Sequence, residues 1–288
     1  MENPRPLQAS DKEDVLEIAK HTWEGHDYLP YYFDVWIKDV DSHPTAIEKD
    51  GHVVALANLR VIEDGRTGWM EGLRVHPNYR GQGLASILTH HVVKMAKDIP
   101  VERVRYTTAV GNKTSLHLGQ SVRMSRKLEL AIHWQDRLDE VSWVSSVHPI
   151  KEVCGEEIYS QLLASNLLPF DVLIYDWKAL DVSRKSLEKI GILARFWAQI
   201  VDDQLASFSL GFVREDPSGP QWSYTIYARD GTSFLDQLSH HLMMASDTEC
   251  NSLFMTYQPE FVETFHSLEW ARPIEDEEMS LTLLEKIL

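Results

Sequence analysis

The residues best placed to do chemistry lie in Arg80-Gly81-Gln82-Gly83-Leu84-Ala85. Two glycines one residue apart keep side-chain bulk away, so backbone amides can come close to an anion. Behind them Leu84, Ile87, Leu88, His91, Val92 and Met95 recur at helical spacing, and the segment reads as a turn that opens a helix. The first amides of a helix point outward with a partial positive charge. The combination makes a phosphate cradle with Arg80 at its entrance. A Gly-x-Gly turn alone also serves as an ordinary loop; a strand before it, an amphipathic helix after it and an arginine at its mouth set this one apart.

Immediately upstream, Met70-Glu71-Gly72-Leu73-Arg74-Val75 reads as a strand. Two-residue alternation puts the Glu71 carboxylate on one face with Leu73 and Val75, apolar company that raises a carboxyl pKa. Such a group can take a proton from an amine or hold an ammonium. The structural alternative is a strand carboxylate paired with Arg74 or Arg105. The pairs His90-His91 and His240-His241 are neighbours about 100° apart on a helix, so they make no His-Glu-x-x-His type of metal site and no metal is expected.

The elements that must carry these residues follow from periodicity and turn chemistry. Ser10 to Asp14 precedes an apolar helical face at Val15, Leu16, Ile18 and Ala19. After an aromatic segment from Trp23 to Trp36, Thr45–Glu48 reads as a strand, Asp50-Gly51 as a hairpin turn, and Val53–Val61 and Trp69–Val75 as further strands. The helix from Leu84 is followed by a strand at 101–110, a short helix at 112–118 and a closing strand at 124–134. Helices interrupting strands in one compact unit give an α+β class, a mixed sheet flanked by helices.

The chain has 288 residues, room for about two domains. Apolar residues make up 43% and charged residues 25%, the range of a folded globular protein. The net charge of −16 disfavours phosphate backbones and anionic lipid, so neither nucleic acid nor a membrane surface is an expected partner, and it favours approach of cations. Only two cysteines, Cys154 and Cys250, occur, and the start MENPRPLQASDKEDV has no apolar leader core; the expected compartment is the reducing cytoplasm.

From about Arg137 the pattern loosens, giving an expected catalytic domain at 1–140 and a second domain at 148–288. Self-comparison supports a repeat. Asp50-Gly51 and the run to Gly65 are mirrored by Asp202-Asp203 and the run to Pro217, Thr89-His90-His91 by Ser239-His240-His241, and Ser115-Leu116-His117 by Glu263–His266. In the second half the cradle position holds Arg229-Asp230-Gly231-Thr232-Ser233-Phe234, where an aspartate would repel a pyrophosphate. This half is therefore expected to be a noncatalytic copy. Pro217-Ser218-Gly219-Pro220 reads as a loop within it, and Glu275-Asp276-Glu277-Glu278 as a solvated acidic run.

These residues resemble the GCN5-related N-acetyltransferase (GNAT) superfamily, whose acetyl-coenzyme A loop reads Arg/Gln-x-x-Gly-x-Gly/Ala. Here the pattern falls on Arg80, Gly83 and Ala85, with Val75-His76-Pro77 in front. The resemblance runs from residue 6 to about 134. It implies a GNAT fold, a central mostly antiparallel sheet flanked by helices, with a degenerate GNAT-like domain after it. It implies that the amides of Gly81, Gln82, Gly83, Leu84 and Ala85 hold the pyrophosphate of acetyl-coenzyme A. It also implies that the backbone of Leu73 and Val75 pairs with the pantetheine arm and that Asn112 touches the cofactor further along. Acetyl transfer to an amine needs a base, because an α-amine titrates near 8 and a lysine near 10.4. The resemblance offers Glu71 as that base, with an N–H of the same strand, such as that of Leu73, for the oxyanion. Where the family often has a tyrosine, seven residues past the asparagine, this chain has Gly119, leaving solvent, Tyr106 or His117 to protonate the departing sulfur.

A second resemblance is to the vertebrate histidine N-acetyltransferase group, carried by Gly25-x-Asp27-Tyr28-Leu29-Pro30, Trp36, Asp39 and Glu71–Val75. It implies that the acceptor is the α-amine of free histidine. Trp23, His26, Tyr28, Tyr31, Tyr32 and Trp36 offer aromatic walls for an imidazole, and Asp27 or Glu71 could hold an ammonium, although several of these aromatics must be core. Tyr28 is the first choice for a ligand contact. The alternatives are another amino acid, a polyamine or a lysine side chain as acceptor, or an acyl-coenzyme A binding module without turnover.

Overall fold

The computed structural model describes residues 3–22, 27–142, 146–216, 219–271 and 279–288. Trp23, Gly25, His26, the Pro217-Ser218 part of the expected loop and the acidic run 275–278 lie outside the described residues. The chain forms two compact units, one of residues 1–106, 112–126 and 284–288 and one of residues 107–111 and 127–283.

The first unit opens with β1 (Arg5–Pro6), α1 (Lys12–Lys20) and α2 (Leu29–Lys38), then an antiparallel meander of β2 (Thr45–Lys49), β3 (His52–Ile62) and β4 (Thr67–Val75). The β2–β3 hairpin turns on Asp50 and Gly51 at φ +53° and +82°, the left-handed pair that matches strand twist. Next come α3 (Leu84–Asp98), β5 (Arg103–Ala109), α4 (Lys113–Ser121) and β6 (Ser125–Gln135), the last two strands running on into the second unit. One face of the sheet packs Ala55, Ala57, Leu59, Leu73 and Val75 under α3 and α4; the other packs Leu56 and Ala46 under α1 and α2.

The last residues of the chain complete this unit. Leu288 N donates to Glu102 O at 3.0 Å, and the buried Arg105 guanidinium donates through Nε to Glu285 Oε2 at 2.7 Å. Glu63 accepts from Arg103 at 2.9 Å in the same cluster. Charges this far out of water hold only with their partners in place.

The second unit contains β7 (Lys151–Val153), α5 (Gly155–Ser165), the hairpin β8 (Val172–Tyr175) and β9 (Lys178–Asp181), and α6 (Arg184–Gly191). It continues with β10 (Arg195–Val201), β11 (Gln204–Asp216), β12 (Gly219–Ala228), α7 (Gly231–Asp247), β13 (Ser252–Tyr257) and α8 (Val262–His266), and takes most of β14 (Met279–Ile287). Its sheet runs in the order β6-β13-β12-β11-β10-β7. The internal match read from the sequence is a match of elements. Asp202 and Asp203 turn β10 into β11 at φ +50° and +61°, His240 and His241 lie on α7 as His90 and His91 lie on α3, and α8 stands where α4 does. No helix among the described residues is long and apolar enough to cross a membrane.

Candidate active site

The turn at the head of α3 is built for close approach. Gly81 and Gly83 take φ +75° and +79°, and a Cβ placed on either would meet nothing within 4 Å. Gly83 is the N-cap of α3 and brings no side chain to its first amides, so Ile87 N to Gly83 O (3.0 Å) is where the helical ladder begins. Arg80, Gln82 and both glycines are exposed, whereas Leu84 anchors the first turn in the core and Ala85 keeps it narrow. Lys49 Nζ donates to Gln82 Oε1 at 2.6 Å, and Arg80 Nε to Val75 O at 3.3 Å.

The strand leading into this turn is open along one edge. Parallel pairing of β4 with β5 stops at Trp69↔Arg105, so residues 70–75 have no partner from β5. In the second unit the corresponding parallel pair, β12 with β13, runs from Gln221↔Ser252 to Ile226↔Tyr257 without parting. There the helix that follows is capped: Asp230 accepts from Ser233 N at 2.8 Å. A carboxylate thus holds the head of this helix, where α3 has a glycine.

On its other edge β4 pairs with β3, and the register slips. Leu56 faces Arg74 and Asn58 faces Glu71, so Gly72 and Leu73 together oppose Ala57. This β-bulge corrects the expected alternation. Glu71 does not share a face with Leu73 and Val75, which pack under α3; it shares one with Arg74, Asn58 and Leu56, under α2. Gly72 makes the bulge at φ +67°, and the buried Trp36 ring fills the space a Cβ would need. A glycine inside a strand pattern is the available signal for such a slip.

The groups gathered on that face form one polar cluster. Asn58 Nδ2 donates to Glu71 Oε1 at 2.9 Å. Arg74 grips Asp27 with two bonds, Nε to Oδ2 at 2.8 Å and Nη2 to Oδ1 at 3.1 Å, and its Nη1 donates to Leu73 O at 3.0 Å. Asp27, expected as a holder of an ammonium, is buried, and both of its oxygens receive the Arg74 guanidinium. Burial pulls the Arg74 charge down, but the Asp27 bonds outweigh it and its pKa is raised.

Tyr28 lies over Arg74, 5.2 Å from ring centre to guanidinium carbon, with edge contacts to Tyr32 at 5.6 Å and Trp36 at 6.4 Å. Its hydroxyl is pushed up to about 12, chiefly by burial and further by the carboxylates of Glu71 and Asp27, against Arg74 and a bond from the Gly72 backbone. It is a donor throughout the neutral range. Of the other aromatics, Trp36 is core at 1% exposure and Tyr31 stands in solvent at 73%.

Asn112 is the N-cap of α4, its Oδ1 accepting from Ser115 N at 3.0 Å. A Cβ on Gly119 would stand 2.5 Å from the Tyr106 hydroxyl, which donates to Ser115 O at 2.7 Å. Tyr106 therefore fills the place a side chain at 119 would take. Its pKa is raised, first by burial and against bonds from Ser115 and Gly119. His117 is exposed on α4.

The chain is similar to known acetyltransferases. The model of the Acetyltransferase (GNAT) family matches residues 12–121. A histidine N-acetyltransferase of Xenopus tropicalis is 26% identical over 250 residues, 80% of this chain and 76% of that protein. Among solved structures, a putative acetyltransferase from Thermoplasma acidophilum is similar at TM-score 0.63 and 17% identity, covering 99% of this chain and all of that one. A tandem GNAT protein from the clavulanic acid biosynthesis pathway is similar at TM-score 0.57 and 14% identity, covering 100% and 98%. These likenesses give the fold of both halves.

Proposed function

From the premise that residues 12–121 form a GNAT-family acetyltransferase domain and the chain is an N-acetyltransferase, we propose that it moves the acetyl group of acetyl-coenzyme A to the α-amine of a free amino acid, L-histidine first among them. The observation that carries this is the open, uncapped turn of Gly81 and Gly83 at the head of α3, fed by a strand edge that β5 leaves unpaired from residue 70 onward. The amides of residues 81–85 suit a pyrophosphate there, with Arg80 at the rim and the Leu73–Val75 backbone beside the pantetheine arm. Asn112 belongs to the same reading, its amide serving the cofactor next to its capping bond.

The thioester supplies an activated acyl group; the protein's task is to deprotonate the amine and place it. Glu71, oriented by Asn58, is the base. Leu73, out of register in the bulge, is the N–H donor toward the developing oxyanion. Tyr28 contacts the acceptor beside Glu71, and Asp27 serves by fixing Arg74 rather than by touching substrate. Tyr106 is the acid for the departing thiolate, its hydroxyl lying against Gly119, where the family's tyrosine would be rooted. Residues 1–140 are the catalytic domain, and 148–288 a noncatalytic one in which Asp230 closes the anion position. Histidine as acceptor rests on the 26% identity to a histidine N-acetyltransferase over most of both chains. The net charge of −16 suits a substrate that carries an ammonium. A cytoplasmic setting is part of this reading, with both cysteines free.

The test is mass spectrometry of the products formed from labelled acetyl-coenzyme A and a panel of amines. N-acetylhistidine as the dominant product is expected. Faster turnover of spermidine, lysine peptides or another amino acid overturns the acceptor, and no product from any amine overturns catalysis.

A further inference from the structure

Far from the glycine turn, the first unit holds a second place suited to an anion. A cavity of about 320 Å³ opens between the C-terminal half of α3, the end of α4 and the last residues of the chain. Four cations line it, Lys94, Lys97, Arg123 and Lys286, together with His90 and Ser121, and among the described residues no carboxylate does. At 1.5 Å per residue, Lys94 and Lys97 lie about 15–20 Å along the helix axis from Leu84, so this cavity is not part of the cradle.

The gathering of charge is out of keeping with the rest of the chain, whose acidic residues exceed its basic ones by 16. Among the described residues, Lys94, Lys97 and Arg123 make no ion pair, while most other arginines of the chain do. Arg123 is held at φ +63°, in the left-handed region that glycine favours, with its N–H donating to Gln120 O at 2.9 Å. Lys286 is tethered by a 2.6 Å bond from Nζ to Val122 O. Burial, then Lys97 and Arg123, pull its ammonium below the ordinary lysine range, the mark of like charges pressed together.

Cations at the ends of helices also have an ordinary use, since the last carbonyls of α3 and α4 carry a partial negative charge. That charge amounts to roughly half a unit at each terminus. Four full positive charges exceed it several-fold, so the helix ends do not neutralise the cavity. Its volume falls at the lower end of small-molecule sites.

We propose that this cavity is a second ligand site, distinct from the acetyl-coenzyme A cradle, for a small anion bearing two or more phosphate charges. Lys94 and Lys97, one turn apart on one face of α3, take one side of it; Arg123 and Lys286 take the other.

The experiment is calorimetric titration of the full chain with inorganic pyrophosphate at low salt, in the presence of saturating coenzyme A. One equivalent of pyrophosphate is expected to bind, with affinity falling as salt rises. Lys94→Glu with Lys97→Glu should weaken it at least tenfold and leave coenzyme A affinity unchanged, and Lys94→Arg with Lys97→Arg should keep it. Repeating the titration on Gly83→Asp separates this site from the proposed function: pyrophosphate binding persists there even if coenzyme A binds nowhere. Tighter binding of ADP than of pyrophosphate points to a nucleotide, and equal binding to the free phosphate group; both uphold the site. No binding to the coenzyme A-saturated chain, loss of binding in Gly83→Asp, or full affinity in the doubly reversed variant overturns it.

Discussion

At Gly72 the chain takes a φ of +67°, and the Trp36 ring occupies the volume a side chain would need. The bulge there turns Glu71 toward Asn58 and Tyr28 and away from the α3 face. Gly72→Ala therefore meets both an overpacked core, about 1–3 kcal/mol, and a left-handed backbone, about 1–3 kcal/mol. A loss of about 2–6 kcal/mol in urea unfolding is expected, with turnover reduced even where the variant is folded; an unchanged midpoint and rate would show that the bulge does not matter. Glu71→Gln keeps the shape and the Asn58 neighbour but cannot take a proton. It is expected to lower kcat by about 10²-fold with acetyl-coenzyme A affinity intact, measured by steady-state rates beside direct binding. Glu71 itself was legible as a strand carboxylate near the cradle. Its facing was not, because strict alternation carries no register slip. Nor was the Asp27–Arg74 pair, which joins residues 47 positions apart.

Elements were the most legible level, since their ends are written in local chemistry. Asp50-Gly51, His76-Pro77 and Asn112 mark a hairpin, a turn and a helix start where the structure has them. The parting of β4 from β5 after Trp69 leaves no such mark, and neither does the return of residues 284–288 to the first unit, because both are set by contacts distant in sequence. The two parallel strand–helix joints of this chain offer an internal control. One ends in an uncapped glycine and the other in Asp230, whose carboxylate already holds Ser233 N. Gly83→Asp brings the charge of the second joint to the first, on a backbone at φ +79° where Asp230 has −151°. The variant is expected to lose about 1–3 kcal/mol, since aspartate must take the left-handed backbone of Gly83, and still to fold. It is expected to weaken acetyl-coenzyme A binding by on the order of 10²-fold as a negative charge meets the open amides. Calorimetry beside a melting curve reads both; unaltered affinity in a folded variant would move the cofactor elsewhere.

For the whole molecule, two neutral histidines shielded from water contribute to the response to acid. His133 packs edge-on against Phe265 at 4.7 Å and Trp270 at 5.8 Å, and burial pushes its pKa down to about 4, with a bond from Gln135 opposing and His266 adding to the shift. His241, fully buried and stacked on Tyr224 at 4.5 Å, is held well below its ordinary value by the same cause. In the unfolded chain both take a proton near pH 6.5, whereas the folded chain refuses it, so the unfolded state binds more protons across this interval. Stability is then fully present above about pH 6.5 and falls as the pH drops toward 4. Each such histidine contributes at most about 1.4 kcal/mol per pH unit. Tyr28 acts at the opposite end: with its pKa raised to about 12, its contribution is complete below pH 10 and is lost between 10 and 12. Urea midpoints measured from pH 7 to 4 should decline steadily. In His133→Phe, which keeps the ring contacts and removes the titration, the decline should be shallower over the same interval. A slope identical to that of the parent chain would show that His133 carries none of the acid sensitivity.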